Sequence, residues 1–213
     1  MALEVYDYRK HAHNVISTPQ VRSRFETLQP GRTGILHNHT SAIESWYVIQ
    51  GKIEFEIDGE TAILEPGMMI CAMPGEKHRV RVLSEEPVIQ LLFVAPHILP
   101  IANMFKNGKE THQYRRHPAD NDLNVAVNDP ANTENHFNEM SALAMKIVES
   151  DRQHEELKDA ILTAQSSNDY DKAVELFDAL LPGIMQVSSH YYKMVETWNE
   201  MTGNIGELTG ANQ

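Results

Sequence analysis

The sequence predicts a mainly β protein: an antiparallel barrel or sandwich up to about residue 95, then an irregular connection, then an α-helical region from about residue 134. Three observations carry this reading. Apolar residues recur with period two in the first part, Gly and Pro punctuate that part at short intervals, and the apolar period becomes helical in the last part.

The strands can be taken in order. "SWYVIQ", from Ser45, is a β-branched and aromatic run of strand length. "KIEFEID" alternates, with Ile53, Phe55 and Ile57 on one face and Glu54, Glu56 and Asp58 on the other. "HRVRVL" sets Val80 and Val82 against Arg79 and Arg81, and "VIQLLFVA" is a further strand-length run. Pro30-Gly31, Gly51, Asp58-Gly59, Pro66-Gly67 and Pro74-Gly75 supply the turns. Residues 1–95 therefore read as one β domain with an N-terminal lead-in strand. Residues 96–133 lose the period and are broken by Pro100, Gly108, Pro118 and Pro130, so they read as an irregular connecting segment that packs along the barrel or a second subunit.

Residues 134–213 read as helical. Phe137, Met140, Ala144 and Ile147 recur at three and four, as do Leu157 and Ile161 after a charged interruption at Glu149–Asp151. Asn168 with Asp171 three later is a candidate N-cap, Pro182-Gly183 a stop or kink, and Gly203 a C-terminal cap. Three or four helices are expected. Their apolar stripes need a surface to cover them, and a homodimer is the expected arrangement.

Composition excludes several classes of function. The 41% hydrophobic and 23% charged content of the 213 residues is that of an ordinary globular chain. A net charge of −12 argues against nucleic acid and anionic membranes as partners. The charge is uneven: residues 1–95 carry 12 acidic against 9 basic side chains, and residues 96–213 carry 18 against 9. No apolar run approaches the roughly 20 residues that span a bilayer. "MALEVYDYRKHAHN" lacks the apolar core of a secretory signal, and Cys71 has no partner for an intrachain disulfide. The expected location is cytoplasmic.

The chemistry concentrates in "HNHTSAIE", residues 37–44. Residues two apart on a strand share a face, so His37 and His39 project together, and Glu44 enters the next strand within reach of both. Two imidazoles and a carboxylate form an N,N,O set suited to iron(II), manganese, nickel or zinc, and His78 in "MPGEKHRV" can complete it.

This stretch resembles the cupin family. Its first motif is matched by Gly31, His37-Asn38-His39, Glu44 and Gly51 at the family spacing. Its second is matched by Gly67, Gly75 and His78, with Met73 in the proline slot, Pro74 one later and Val82 in the asparagine slot. The resemblance covers about a third of the chain and leaves the helical tail unexplained. It implies a double-stranded β-helix, or jelly-roll barrel, holding one divalent transition metal per chain through His37, His39, Glu44 and His78, with positions left for other ligands. It leaves open the choice among iron(II), manganese, nickel and zinc.

Other residues carry weaker expectations. Trp46 shares parity with Glu44 and is expected in the cavity, as core packing or substrate contact, whereas Tyr47 should point outward. Gln90 could hydrogen-bond a substrate or a metal ligand, or lie outward on a half-exposed strand. At least two of Arg22, Arg24 and Arg32 are expected on a solvated surface, and so are His11 and His13. Cys71 reads as a small apolar residue, and Met68, Met69 and Met73 as core filler. Taken together, these readings predict a metal-dependent enzyme acting on a small organic substrate, with an iron(II) dioxygenase first. An isomerase or lyase using the ion as a Lewis acid, or a non-catalytic binding module, stands as the alternative.

Overall fold

The computed structural model describes residues 3, 5–10, 14–113 and 130–209, so His11 and His13 lie outside the described residues. The chain divides into two compact units: Met1–Asn128 with Asn199–Gln213, and Asp129–Trp198.

The first unit holds eleven described strands, β1 (Asn14–Ser17), β2 (Arg22–Leu28), β3 (His37–Asn38), β4 (Ile43–Gln50), β5 (Ile53–Ile57), β6 (Glu60–Leu64), β7 (Met69–Ala72), β8 (His78–Val82), β9 (Val88–Ala95), β10 (Ala102–Lys106) and β11 (Lys109–Gln113). They form two sheets, in the orders β1-β2-β9-β4-β7 and β11-β10-β3-β8-β5-β6. Every pairing is antiparallel. This is a jelly roll. The alternation read in "KIEFEID" explains its interior, because Ile53 and Phe55 have no exposed surface while the Glu54 and Glu56 carboxylates pair with Arg81 and Arg79 on the outer face. Val48 and Val88 face them from the other sheet, also fully buried. Each such side chain stabilises the fold by about 1.5–3 kcal/mol, whereas the exposed ion pairs add little.

Residues 96–133 are not irregular throughout. β10 and β11 form a hairpin that extends the second sheet past β3. Its turn, Asn107-Gly108, has φ of 52° and 74°, and the β5–β6 turn, Asp58-Gly59, has 47° and 86°. Both are two-residue turns with positive φ at each central position, whose twist matches that of paired strands.

Two other expectations are corrected. Met68, Met69 and Met73 are about half exposed rather than core, and Cys71 beside them is also exposed. The reason is parity: on β7 it is Ile70 and Ala72 that oppose inward-facing Trp46 and Glu44, so Met69 and Cys71 point out. Arg22 and Arg24 are buried rather than solvated, at 3% and 8% exposure. Arg32 is exposed.

The tail contains two long helices, not three or four: α1 (Pro130–Ser166) and α2 (Tyr170–Thr209). The charged stretch at Glu149–Asp151 does not break α1, and α2 runs through Pro182 and Gly203. The break between them has a local cause. Asn168 takes φ of 59°, which lets Asp169 N–H reach Ala164 O and Asn168 N–H reach Gln165 O, closing the carbonyls at the end of α1. Asp169, not Asn168, then caps α2, its Oδ1 accepting from Lys172 N–H at 3.1 Å. Within the second unit Ile161, Ala164, Ala173 and Leu176 pack the hairpin shut. Among the described residues no helix is long and apolar enough to cross a membrane.

Candidate metal centre

β3 is two residues long, yet its register positions the site. His37 stands opposite His78 of β8, and His39 follows as the chain turns toward β4. On β4 the inward row holds Glu44, Trp46 and Val48, all buried, while Ile43 and Tyr47 are exposed. Two sheets thus deliver three imidazoles and one carboxylate to a single point.

The ligand atoms of His37, His39, Glu44 and His78 lie within 4.8 Å of one another. Glu44 Oε2 is the hub, 2.6 Å from His39 Nε2, 2.9 Å from His78 Nε2 and 3.5 Å from His37 Nε2. His37 and His78 Nε2 are 3.2 Å apart. Ligands at right angles about 2.1 Å from one ion lie about 3 Å apart, which is the range of these separations.

The tautomers show why a cation fits. Nδ1 of His37 faces Ile35 O at 2.9 Å, that of His78 faces Glu76 O at 2.9 Å, and that of His39 faces Ile101 O. A carbonyl can only accept, so each Nδ1 must carry the hydrogen. A neutral imidazole has no second hydrogen, and each Nε2 therefore presents a lone pair toward the Glu44 oxygen. Three lone pairs and an anion meeting in a buried space repel one another. A metal ion, or protons on the rings, relieves this, and the backbone carbonyls hold the rings in the orientation a metal ligand needs.

The electrostatics agree. Burial alone would raise the Glu44 carboxyl, but when the rings carry the second proton the charge on His39 and the hydrogen bonds donated by the three imidazoles outweigh it and hold the pKa well below the usual carboxylate range. Burial alone would lower His37, but hydrogen bonding and attraction from Glu44 raise it above the ordinary value of 6.5. Nearby His97 has no carboxylate partner among the described residues. Burial, then the Arg22 charge, push it down to about 3, against the raising effect of a hydrogen bond to the Thr18 backbone.

The Trp46 ring packs edge-on against His78 at 5.2 Å between centroids and against Phe55 at 5.0 Å. Gln90 is separate from this cluster. It opposes Val48 and Glu26, four residues along β9 from Val94, which opposes Glu44. It does not lie outward: its exposure is 0%, and its Nε2 donates to Glu26 Oε2 at 2.8 Å. The row it belongs to was not expected from the sequence. Arg22, Arg24, Glu26 and Leu28 alternate along β2, and the apolar Leu28 was the signal that this face is the inner one.

The family model described as a cupin domain matches residues 24–94. Solved structures similar to the chain include a protein with a double-stranded β-helix domain from Klebsiella pneumoniae, 24% identical over 45% of this chain and 90% of that one, with a TM-score of 0.42. A protein from Thermus thermophilus is 29% identical over 44% and 90% (TM-score 0.38), and KdgF from Halomonas sp. is 28% identical over 38% and 74% (TM-score 0.36). No curated protein matches the chain. With the family model on residues 24–94 and a jelly roll around the motif histidines, the β region of this chain is a cupin domain.

Proposed function

We propose that the barrel is a metal-dependent enzyme acting on a small organic substrate, and specifically a mononuclear iron(II) dioxygenase with His37, His39, Glu44 and His78 as ligands. One observation carries the reading: three imidazole Nε2 lone pairs and a carboxylate oxygen converge inside the barrel with their tautomers set by backbone carbonyls. A divalent transition metal bound there supplies Lewis acidity, and iron adds one-electron redox chemistry.

The chain's own residues do the rest. His39, Glu44 and His78 have side chains no more than 5% exposed, whereas His37 is 24% exposed, so the approach for a substrate is on the His37 side. Trp46 closes the flank of His78 with an apolar wall and keeps water from that side. The test is oxygen uptake by the iron-loaded protein, measured beside strictly anaerobic turnover of the same compounds. Uptake coupled to turnover supports a dioxygenase. Turnover without oxygen would assign isomerase or lyase chemistry, and binding without any turnover would make this a sensor or carrier module.

We also propose that the protein is a homodimer. The support is the apolar surface left uncovered on the helical hairpin, including Phe137, Met145 and Val148 on α1 and Val174, Leu181 and Met185 on α2, each at least half exposed.

A further inference from the structure

The inner wall of β2 and β9 has polar groups that the metal centre does not use. Arg24 is 8% exposed. Its Nη2 donates to Glu26 Oε1 at 2.9 Å, but its Nε and Nη1 are buried without a hydrogen-bond partner among the described residues. Gln90 has no exposed surface. Its Nε2 donates to the other Glu26 oxygen, which fixes the amide orientation because a carboxylate only accepts, and its Oε1 is left buried without a partner among the described residues. Leaving a buried cation's N–H groups and a buried amide oxygen unsatisfied is costly, so each is a mark of something that completes it.

The register places these groups relative to the site. Leu92 of β9 opposes Arg24 on one side and Trp46 on the other. Arg24 and Trp46 therefore sit in one row across the inner face, about 9.6 Å apart by two strand spacings. Trp46 in turn packs on His78. Gln90 is the diagonal neighbour of Arg24 across the β2–β9 pair, about 7–8 Å away, and Glu26 bridges the two.

We propose that Arg24 and Gln90 form a recognition site for a small hydroxy- or amino-carboxylate, Arg24 donating to the carboxylate and Gln90 Oε1 accepting from the hydroxyl or amine. Glu26 already pairs the Arg24 charge through Nη2, and the Nε and Nη1 hydrogens that it leaves call for acceptors, which a carboxylate supplies in the geometry of a planar guanidinium. The amide oxygen requires a donor, which a plain carboxylate lacks. Glu26 is the positioning residue that orients both.

That the bound molecule is a substrate rests on the enzyme reading above, whereas the binding itself does not require a metal. The probes are lactate, propionate (no hydroxyl) and lactamide (no charge), titrated by ligand-observed NMR into the full-length, chelator-treated protein, so that none can be held by an ion. Wild type should bind lactate about tenfold or more tightly over lactamide, and several-fold over propionate. Arg24→Gln should abolish the acid-over-amide preference, Gln90→Leu the hydroxyl preference, and Arg32→Gln on the exposed surface should change neither. Metal content of the same variants before chelation should match wild type. Equal binding of lactate and lactamide by wild type would overturn the assignment, as would an Arg24→Gln protein that retains the preference; ordered water alone then completes these groups. If Arg24→Gln does not fold, the wild-type contrast among the three probes decides. A wild type that holds no metal before chelation yet passes these tests would remove the metal reading and leave this one standing.

Discussion

Two glycines with nearly the same backbone angle make a controlled pair. Gly51 ends β4, the strand that carries Glu44 and Trp46, with φ of 83°, and Gly67 sits in the turn before β7 with φ of 91°. A side chain at either incurs the left-handed penalty, about 1–2 kcal/mol. Only at Gly51 does the added carbon meet anything: Val88 Cγ2 at 2.9 Å, Ser84 Oγ at 3.0 Å and Val88 Cα at 3.0 Å. Val88 Cα is backbone at the start of β9, and Ser84 Oγ is held by Lys52 N–H and Glu86 O, so neither can swing away. Nothing lies within 4 Å at Gly67. Overpacking adds about 1–3 kcal/mol. Gly67→Ala should therefore cost about 1–2 kcal/mol and Gly51→Ala about 2–5 kcal/mol. At roughly 4 °C per kcal/mol this separates the two melting temperatures by about 4–12 °C. The assay is thermal unfolding followed by Trp46 fluorescence in a Trp198→Phe background, since these are the 2 tryptophans. Equal losses for the two alanines would refute the claim that β4 is held tightly against β9 at this point.

Trp46→Ala should destabilise the barrel by about 3–5 kcal/mol and weaken substrate binding more than metal binding, because the ring packs on His78 without being a ligand. Tyr47→Ala, on the outer face, should cost under about 1 kcal/mol; equal effects in urea unfolding would contradict the parity. His97 is held neutral with a pKa of about 3, so below the unfolded value of about 6.5 the unfolded chain takes up a proton that the native state refuses, and stability falls as pH falls through that window. Between pH 7 and pH 5 the loss reaches about 2 kcal/mol, and His97→Gln should flatten it; parallel slopes for the two proteins would exclude the effect. Light scattering should return the mass of a dimer, and a monomer at micromolar concentration would refute that proposal.

How much of this was legible in the residues depends on how strongly each segment states its period. "KIEFEID" alternates between fully apolar and fully charged positions, so its face assignment survives folding unchanged. The four clustered residues were legible because the shared parity of His37 and His39, the reach of Glu44 and the motif resemblance that includes His78 all point to one place. β2 misled because its inward positions are Arg22, Arg24 and Glu26, and charge on an inner wall reads as solvent unless Leu28 is given its due. Met68, Met69 and Met73 misled in the opposite sense: Met69 on the outer side of a short edge strand, and Met68 and Met73 flanking that strand, read as core. The β10–β11 hairpin was announced by Asn107-Gly108, but its arms carry no clean alternation. The helix count differs because charge at Glu149–Asp151 and Pro182 read as breaks in the sequence, whereas the true break is Asn168, a residue that tolerates left-handed φ.

One cation held by four side chains is the centre of the proposed chemistry, and metal content measures it without intermediaries. Elemental analysis of protein purified without chelators should find one transition-metal ion per chain in wild type and none in His39→Ala, with both proteins showing the cooperative melt of a folded barrel, because the core of Ile53, Phe55, Val48 and Val88 is independent of the site. Uptake should weaken as pH falls through the His37 pKa, which lies above 6.5, since the proton that Glu44 holds on that ring occupies the ligating nitrogen. A His39→Ala protein that retains stoichiometric metal would contradict the assignment.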